Sequence, residues 1–220
     1  MLDAFTRYSL RTTDAAAATA FYDAVLGHHG DVVFPLHPEA LARGARPHWL
    51  GHLAVADPEA SAAPLLDGGG TRYGVRPDGV VVLRDPGGAL LSLGGETPPS
   101  TAGVTWHVLR TRDAPRAAAT YARLFGWALL DEVDLGPVGR YQPFAFRAGQ
   151  PPAGVIGGIE GFPDVHAQWL YFFRVPSLER AAREVTARGG LVVMQNDLPG
   201  GLRAAVCDDP QGAAFGLIDG

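Results

Sequence analysis

Few residues in this chain have side chains suited to covalent or metal chemistry. Cys207 is the only cysteine, and every one of the 18 basic residues is an arginine. A single cysteine excludes an internal disulfide and a thiolate zinc cluster, and the lack of lysine excludes Schiff-base catalysis and a Walker-type phosphate lysine. Because a lone cysteine with no sequence-linked base is most often an inert buried residue, Cys207 is not predicted to be a nucleophile.

Imidazole and guanidinium groups therefore supply the remaining chemistry. His52 is the candidate general base, because imidazole titrates near neutral pH. Arg7 is the candidate group for stabilising an anion that develops during a reaction. His37 and His48 flank an irregular, proline-rich stretch and have no carboxylate at metal-ligand spacing. These residue types permit acid–base catalysis without requiring it.

Composition limits the partners that this chain can have. The formal net charge is −5 and no run of basic residues occurs, whereas a nucleic-acid partner needs a basic surface. No apolar stretch approaches the length of a membrane span, and the first residues lack the basic and then apolar pattern of a signal peptide. The sequence therefore predicts a soluble cytoplasmic protein with no nucleic-acid or membrane partner.

An internal repeat organises the elements that must position these side chains. Three pairs of segments match in the same order along the chain: 14–27 with 113–126, 49–70 with 169–190, and 85–93 with 209–217. A repeat of this kind indicates two halves of similar architecture.

Each half is predicted to contain the same elements. A strand is followed by a helix that Asp14 or Asp113 caps, and each helix stops at a glycine, as a left-handed C-cap prefers. Short strands follow, then a strand before a second helix, and each half closes with two more strands. Each half therefore has the pattern βαβββ twice, which makes four such units in the chain.

Three repeated motifs carry a resemblance to a known superfamily. They are a capped helix with Tyr-x-x-x-x-Gly, Trp-Leu-x(4)-Val before a helix that ends in Gly-Gly, and Asp-Pro-x-Gly-Ala before the last strand. With these motifs the chain resembles the vicinal oxygen chelate superfamily, which holds the glyoxalases, bleomycin-resistance proteins and extradiol dioxygenases. The resemblance implies an α+β fold in which four βαβββ units form two tandem glyoxalase-like domains with cup-shaped mixed sheets. The domains would be residues 1–97 and 104–220, joined by a linker at 98–103.

Metal-using members of that superfamily take ligands, usually His, Gln or Glu, from three strand positions in a domain. In this chain the corresponding positions hold Arg7, Leu50 and Ser92 in the first half and Trp106, Leu170 and Gly216 in the second. None of these is a normal metal ligand, and a guanidinium is permanently positive. His107 lies one residue away from such a position, but strand alternation turns its side chain toward the helix. We therefore expect no metal site of the family type and no cofactor.

Strand alternation from the same positions predicts the lining of the two cups. The first cup is polar, with Arg7, Ser9, His52 and Ser92. The second is apolar and aromatic, with Trp106, Val108, Tyr141, Phe144, Leu170, Phe172 and Gly216, while Arg110 and Arg174 lie farther along the same strand faces. Such a lining suits a flat hydrophobic molecule held by stacking. The alternative is that these side chains fill the cup as core.

Three functions from different classes remain open. The first is metal-free binding of a small organic molecule in a cup-shaped cavity, as bleomycin-resistance-like members bind by sequestration, with aromatic molecules favoured by the lining. The second is a glyoxalase-like enzyme, a lyase, isomerase or dioxygenase, with a non-standard site that uses His52 and Arg7. The third is an interaction protein whose cups are filled. The missing metal ligands favour the first, and the sequence leaves monomer and homodimer both open.

Overall fold

The computed structural model describes residues 3–27, 32–75, 78–95, 103–136, 139–160, 162, 165–198 and 202–219. In the first half of the chain the elements are β1 (Ala4–Thr12), α1 (Ala15–Leu26), β2 (Val33–Pro35), α2 (Pro38–Ala42), β3 (His48–Ala54), α3 (Pro58–Asp67), β4 (Thr71–Val75), β5 (Val81–Arg84) and β6 (Leu90–Gly94). In the second half they are β7 (Val104–Thr111), α4 (Ala114–Phe125), β8 (Ala128–Leu129), β9 (Val133–Asp134), β10 (Arg140–Ala145), β11 (Gly154–Gly158), β12 (Gln168–Arg174), α5 (Leu178–Ala187), β13 (Leu191–Asp197), β14 (Arg203–Asp208) and β15 (Ala214–Asp219).

Two mixed sheets confirm the predicted α+β class. The first has the strand order β2-β1-β3-β6-β5-β4. The second has the order β13-β14-β15-β12-β7-β11-β10-β8, with β9 paired to β10. Strands of the first sheet all come from the first half of the chain, and strands of the second all come from the second half. Strand pairing thus follows the repeat.

Helix capping agrees with the prediction at both N-termini, but of the two C-terminal glycines only Gly126 is left-handed helical, because Gly27 ends α1 with φ 95° and ψ −163°. Asp14 accepts a hydrogen bond from the backbone N–H of Ala17 at 3.0 Å, and Asp113 accepts one from Arg116 at 3.0 Å. These bonds satisfy backbone donors that a helix leaves unpaired at its N-terminus. Gly126 ends α4 in the left-handed conformation with φ 65°. Within the described ranges, no helix is long and apolar enough to cross a membrane.

The stretch from Val32 to Ala45 is more regular than the sequence indicates. It forms the short strand β2, parallel to β1, and the five-residue helix α2. Neither element has a clear apolar period, so the local pattern alone does not reveal them. The predicted hairpin in the second half is confirmed, because β10 pairs antiparallel with β11.

By compactness the chain divides into two units that each combine segments of both halves. One unit comprises Met1–Arg7, Gly51–Ser100 and Trp106–Trp169. The other comprises Tyr8–Leu50, Thr101–Thr105 and Leu170–Gly220. The domain boundaries expected from the sequence, 1–97 and 104–220, therefore stay a prediction, and of the expected linker only Gly103 lies among the described residues.

An aromatic cluster forms the core of the first unit beside α4. The ring of Trp127 stacks on Phe144 with centroids 4.4 Å apart and planes 10° apart, and on Tyr121 at 4.9 Å. Trp169 meets Tyr121 and Phe144 edge-on at 5.5 and 6.2 Å. Offset and edge-on contacts of this kind stabilise a core beyond the area that they bury. The cluster also identifies the side of the strands that faces the helix.

Candidate ligand-binding site

Three of the positions that the resemblance assigns to metal ligands hold residues without a metal-binding side chain. Leu50, Leu170 and Gly216 offer no donor side chain, and Leu50 and Leu170 are buried, with 4% and 5% of their surface exposed. Among the residues that the structure describes, no group of three or more His, Cys, Asp or Glu side chains lies close enough to hold a metal. The hard and borderline cations of this superfamily need such nitrogen and oxygen ligands.

A phenyl ring lies over the last of these positions. Phe172 of β12 is paired in register with Gly216 of β15. A Cβ atom built on Gly216 would lie 2.3 Å from Cγ of the Phe172 ring, far inside van der Waals contact. Glycine at this position allows the ring to approach the backbone closely. A carboxylate or imidazole side chain at Gly216 would have to displace the ring.

The equivalent register in the first half contains a polar pair. His52 of β3 is paired with Ser92 of β6, and Ser92 Oγ lies 2.5 Å from His52 Nδ1. Both residues are buried, with 6% and 0% of their surface exposed. The hydrogen bond satisfies two polar groups that burial would otherwise penalise. The structure therefore joins His52 and Ser92 directly, whereas their role in binding a ligand stays a prediction.

The other two polar residues predicted for the first cup differ in exposure. Ser9 is buried, with 3% of its surface exposed, whereas Arg7 is half-buried. Arg7 forms no hydrogen bond or ion pair with any residue in the described ranges. Its guanidinium is therefore not held in a fixed position by a carboxylate of the described residues.

His107 faces the helix, as strand alternation predicts. Its ring stacks on Phe5 with centroids 5.3 Å apart and meets Phe146 edge-on at 5.4 Å. Its Nδ1 lies 2.7 Å from the carbonyl oxygen of Ala153, so the neutral ring donates from this nitrogen. Burial lowers the pKa of His107 from 6.5 to about 4, and the hydrogen bond to Ala153 partly opposes the shift. This histidine is a neutral core residue at physiological pH.

The opposite face of β7 is partly exposed at two of its residues. Trp106 and Val108 are partly exposed, whereas His107 and Leu109 between them are buried, with 4% and 0% of their surface exposed. Side chains at alternate positions of a strand point to opposite faces. Trp106, Val108 and Arg110 therefore share one face, and side chains from the rest of the fold do not fully cover its first two members.

Arg110, the last residue of this face, lies between two aromatic rings. Its Nη1 donates a hydrogen bond to the Tyr141 hydroxyl at 2.5 Å. The guanidinium carbon lies 4.8 Å from the centre of the Phe162 ring and 5.4 Å from that of Tyr141. Gly157 pairs with Tyr141 across the hairpin, and a Cβ on Gly157 would lie 2.6 Å from that ring. Glycine at 157 thus allows the Tyr141 ring to lie close to the sheet beside Arg110.

The Tyr141 phenol remains protonated beside this cation. Burial raises the pKa of Tyr141, and the Arg110 guanidinium opposes the rise. The hydroxyl accepts from Arg110, so its own proton is available for donation. Arg110 and Tyr141 together can present N–H and O–H donors to a single acceptor group.

One predicted cup residue lies on the wrong face. Phe144 is fully buried in the aromatic cluster beside Trp127. It is three residues from Tyr141 on the same strand, and an odd spacing places two side chains on opposite faces. The prediction that Phe144 and Tyr141 line the same cavity is therefore wrong for Phe144.

Two residues beside Arg110 escaped the sequence analysis. Phe162 lies in an irregular segment after β11, where no period assigns a face. Gly157 was not singled out, although consecutive glycines inside a strand often mark a close approach of another group. Arg110 was placed on the correct face but was not chosen as a ligand contact, because its aromatic neighbours come from other segments.

Comparison with known proteins agrees with this fold. The chain is 26% identical over 245 residues to a protein of Mycobacterium tuberculosis named "Putative glyoxylase CFP32", which covers 95% of this chain and 92% of that protein. The same values hold for its counterpart in Mycobacterium bovis.

Solved structures share the fold at low sequence identity. The 2,3-dioxygenase LapB from Pseudomonas sp. KL28 superposes with a TM-score of 0.62 at 13% identity, over 98% of this chain and 91% of that one. The Mn(II)-bound glyoxalase from Novosphingobium aromaticivorans gives 0.60 at 12% identity, over 99% and 82%. Residues 103–217, more than half of the chain, match the family described as the Glyoxalase/Bleomycin resistance protein/Dioxygenase superfamily. The chain belongs to this superfamily.

Proposed function

We propose that this chain is a metal-free small-molecule-binding protein of the superfamily, which holds a small organic ligand in a cup-shaped cavity. The observation that carries the proposal is the chemistry at the family's metal positions. Leu50, Leu170 and Gly216 supply no donor, and the Phe172 ring occupies the space that a side chain at Gly216 would need.

The partial exposure of Trp106 and Val108 on β7 supports a ligand site rather than a filled cup. Trp106 and Val108 are partly exposed and lie on the face that also bears Arg110. An aromatic and an aliphatic side chain next to a few polar groups are typical of small-molecule sites. Leu170 and Phe172, which the sequence also predicts to contact the ligand, are buried, with 5% and 6% of their surface exposed.

A second candidate function is catalysis at His52. The buried pair of His52 and Ser92 favours it, because a histidine held by a hydrogen bond is oriented for proton transfer. The names of similar proteins, a glyoxylase and a dioxygenase, are also names of enzymes. In this interpretation Nδ1 is occupied by Ser92, so the other ring nitrogen would move the proton, with Arg7 stabilising an anion.

Elemental analysis tests the metal-free part of the proposal. Untagged protein would be measured before and after incubation with Zn²⁺, Ni²⁺, Mn²⁺ and Fe²⁺ and then dialysed. We expect no stoichiometric metal under any of these conditions. A tightly held, stoichiometric metal would overturn the proposal and make His52 and His107 the first residues to mutate.

A histidine variant separates binding from catalysis. His52→Ala would be compared with His166→Ala, whose side chain is exposed. The binding function predicts no turnover of glyoxalase or dioxygenase substrates by the wild type or by either variant. A reaction of a glyoxalase or dioxygenase substrate that is lost only in His52→Ala would favour the enzyme.

The remaining predictions from the sequence stand as proposals. They are the two-domain division at 1–97 and 104–220, a cytoplasmic location, the lack of a nucleic-acid partner, and a monomer or homodimer in solution. If thermal stabilisation fails for every small molecule tested, the interaction protein with filled cups becomes the leading function.

A further inference from the structure

Arg110 is a buried cation that has no anionic partner among the described residues. Only 6% of its surface is exposed, yet the guanidinium makes no ion pair within the described ranges. Arginines that are more exposed do have carboxylate partners: Arg72 binds Glu59 at 2.6 Å, and Arg203 binds Asp219 at 2.7 Å. Because burying an unpaired charge is costly, a cation left in this state needs a compensating group.

The protein supplies only part of that compensation. The faces of Phe162 and Tyr141 stabilise the cation through their π electrons. One of the five guanidinium N–H groups donates to the Tyr141 hydroxyl. Tyr141 is neutral, so the positive charge itself has no counter-charge in this cluster.

The unused donors of Arg110 reach accessible space. In the described part of the chain, the fully buried side-chain atoms without a hydrogen-bond partner are Thr12 Oγ1, Thr111 Oγ1 and Gln211 Oε1, and no nitrogen of Arg110 is among them. The guanidinium nitrogens without a partner in this part of the chain therefore keep some contact with solvent. The planar fork of the guanidinium matches the two oxygens of a carboxylate, and the Tyr141 O–H adds a further donor.

The neighbouring residues on β7 define the rest of the ligand. Val108 and Trp106 share the face of Arg110 and are partly exposed. Successive residues on one face of a strand are about 7 Å apart, so Trp106 lies roughly 13 Å along the strand from Arg110. A ligand with an anionic end and a flat apolar body of about that length would contact all three side chains.

We infer that this chain binds an organic carboxylate, whose acid group is held by Arg110 and Tyr141 and whose apolar body lies along Val108 and Trp106. This inference rests on the proposed function, because it names the class of ligand for the same cavity. It also accounts for a buried arginine that has no carboxylate partner among the described residues.

Pairs of small molecules that differ only in carrying a carboxylate or a neutral amide test the inference. Naphthylacetate and naphthylacetamide, and phenylpropionate and phenylpropionamide, would be titrated against the full chain by calorimetry and thermal shift. Each pair has the same apolar body and differs in the acid group. We expect the carboxylates to bind and stabilise the protein, with the amides weaker, and acetate alone weak because it lacks the apolar body.

Variants identify the residue responsible. Arg110→Met is expected to weaken carboxylate binding roughly 10- to 100-fold, the loss typical of a buried charged hydrogen bond. Tyr141→Phe is expected to weaken it by a smaller factor. Arg112→Met is the matched control, because Arg112 is an exposed arginine two residues along the chain, and it should leave binding unchanged.

The outcomes separate this inference from the function on which it rests. If amides bind as well as carboxylates and Arg110→Met binds normally, the anion site is overturned and the binding function stands. If no member of any pair binds, both fail.

A measurement without ligand provides an independent test. If Arg110 serves ligand binding, its guanidinium is an unpaired buried charge in the ligand-free protein. The melting temperature of Arg110→Met should then equal or exceed that of the wild type. A large drop would show that Arg110 has a structural role and would overturn the inference.

Discussion

The Tyr22 hydroxyl donates a hydrogen bond to Asp209 Oδ2 at 3.2 Å, across 187 residues of sequence. Trp49 Nε1 donates in turn to the same hydroxyl at 3.0 Å. All three side chains are buried, with 0%, 3% and 4% of their surface exposed for Tyr22, Asp209 and Trp49. A tyrosine hydroxyl that accepts from one group and donates to another has its hydrogen-bonding capacity largely satisfied.

The repeat generates the same network a second time. Tyr121 donates to Asp85 Oδ2 at 3.0 Å, and Trp169 Nε1 donates to Tyr121 at 3.3 Å. Burial raises the pKa of Asp85, and hydrogen bonds from Tyr121 and from backbone N–H groups oppose the rise. The repeated Tyr, Trp and Asp residues that carry the resemblance to the superfamily therefore form a buried hydrogen-bond network in both halves.

Tyr22→Phe should destabilise the fold by about 1–3 kcal/mol, because it leaves the buried Trp49 N–H without an acceptor and removes one donor to Asp209. Tyr121→Phe should have a similar effect for the same reason. Tyr73→Phe is the matched control, since Tyr73 is exposed and its hydroxyl makes no hydrogen bond among the described residues. Urea unfolding monitored by fluorescence measures all three. Equal stability of Tyr22→Phe and Tyr73→Phe would contradict a structural role for the network.

His107 should make stability depend on pH in acid. Its folded pKa of about 4 lies below the ordinary 6.5. Between these two pH values His107 is protonated in the unfolded chain and neutral in the native state. Stability is therefore complete above pH 6.5 and falls as the pH drops toward about 4, by roughly 3 kcal/mol from this residue.

His107→Phe isolates this term, because it keeps an aromatic ring against Phe5, and the Ala153 carbonyl still accepts from the backbone N–H of residue 107. The free energy of unfolding, measured from pH 7 to about pH 4.5, should fall less steeply for the variant than for the wild type. Contributions from Asp85 and Asp209 are common to both proteins and cancel in the comparison. Parallel curves would show that His107 titrates normally in the native state.

Gly216→Ala should destabilise the chain by about 1–3 kcal/mol, because its Cβ would force the Phe172 ring out of place. Gly158→Ala is the control, since a Cβ there meets only the backbone nitrogen of Glu160 at 3.9 Å. The double variant Gly216→Ala, Phe172→Ala lacks the ring, so the glycine substitution should destabilise the Phe172→Ala protein less than it destabilises the wild type. If Gly216→Ala were as stable as the control, the position would be open to a side chain, and the case against a metal ligand there would weaken.

The Cys207 thiol should be unreactive toward thiol reagents in the native protein. It is completely buried, and burial together with Asp208 raises the pKa of its thiol to about 12. Because only the thiolate reacts, modification by a thiol reagent at neutral pH should require unfolding and be roughly a thousandfold or more slower than in denaturant. Absorbance of the released chromophore from a disulfide reagent measures the rate. Rapid reaction in native buffer would contradict this burial.

Local patterns were sufficient for most elements of the fold. The spacing of Ala18, Phe21, Tyr22 and Val25 identifies the buried face of α1, and the structure buries all four. Leu178, Ala181, Ala182 and Val185 do the same for α5. The short elements β2 and α2 were missed because they are stabilised by packing on β1 and by end capping, which leave no period in the sequence.

Side-chain faces were predictable only where the strand register was known. Alternation from one fixed position placed His107 correctly against the helix and His52 beside Ser92. It failed for Phe144, because β10 had no such reference and its face was guessed from aromatic character alone.

The sequence by itself determined the repeat, the α+β class and the residues that cap the helix N-termini, because each of these is a property of residue type and spacing. Only the tertiary structure decided which side chains meet. The Phe172 ring over Gly216, the Tyr22 hydroxyl on Asp209, and Arg110 between Tyr141 and Phe162 all join residues from separate segments. Such contacts depend on how strands pair and on where an irregular segment passes, and neither leaves a local signal in the chain.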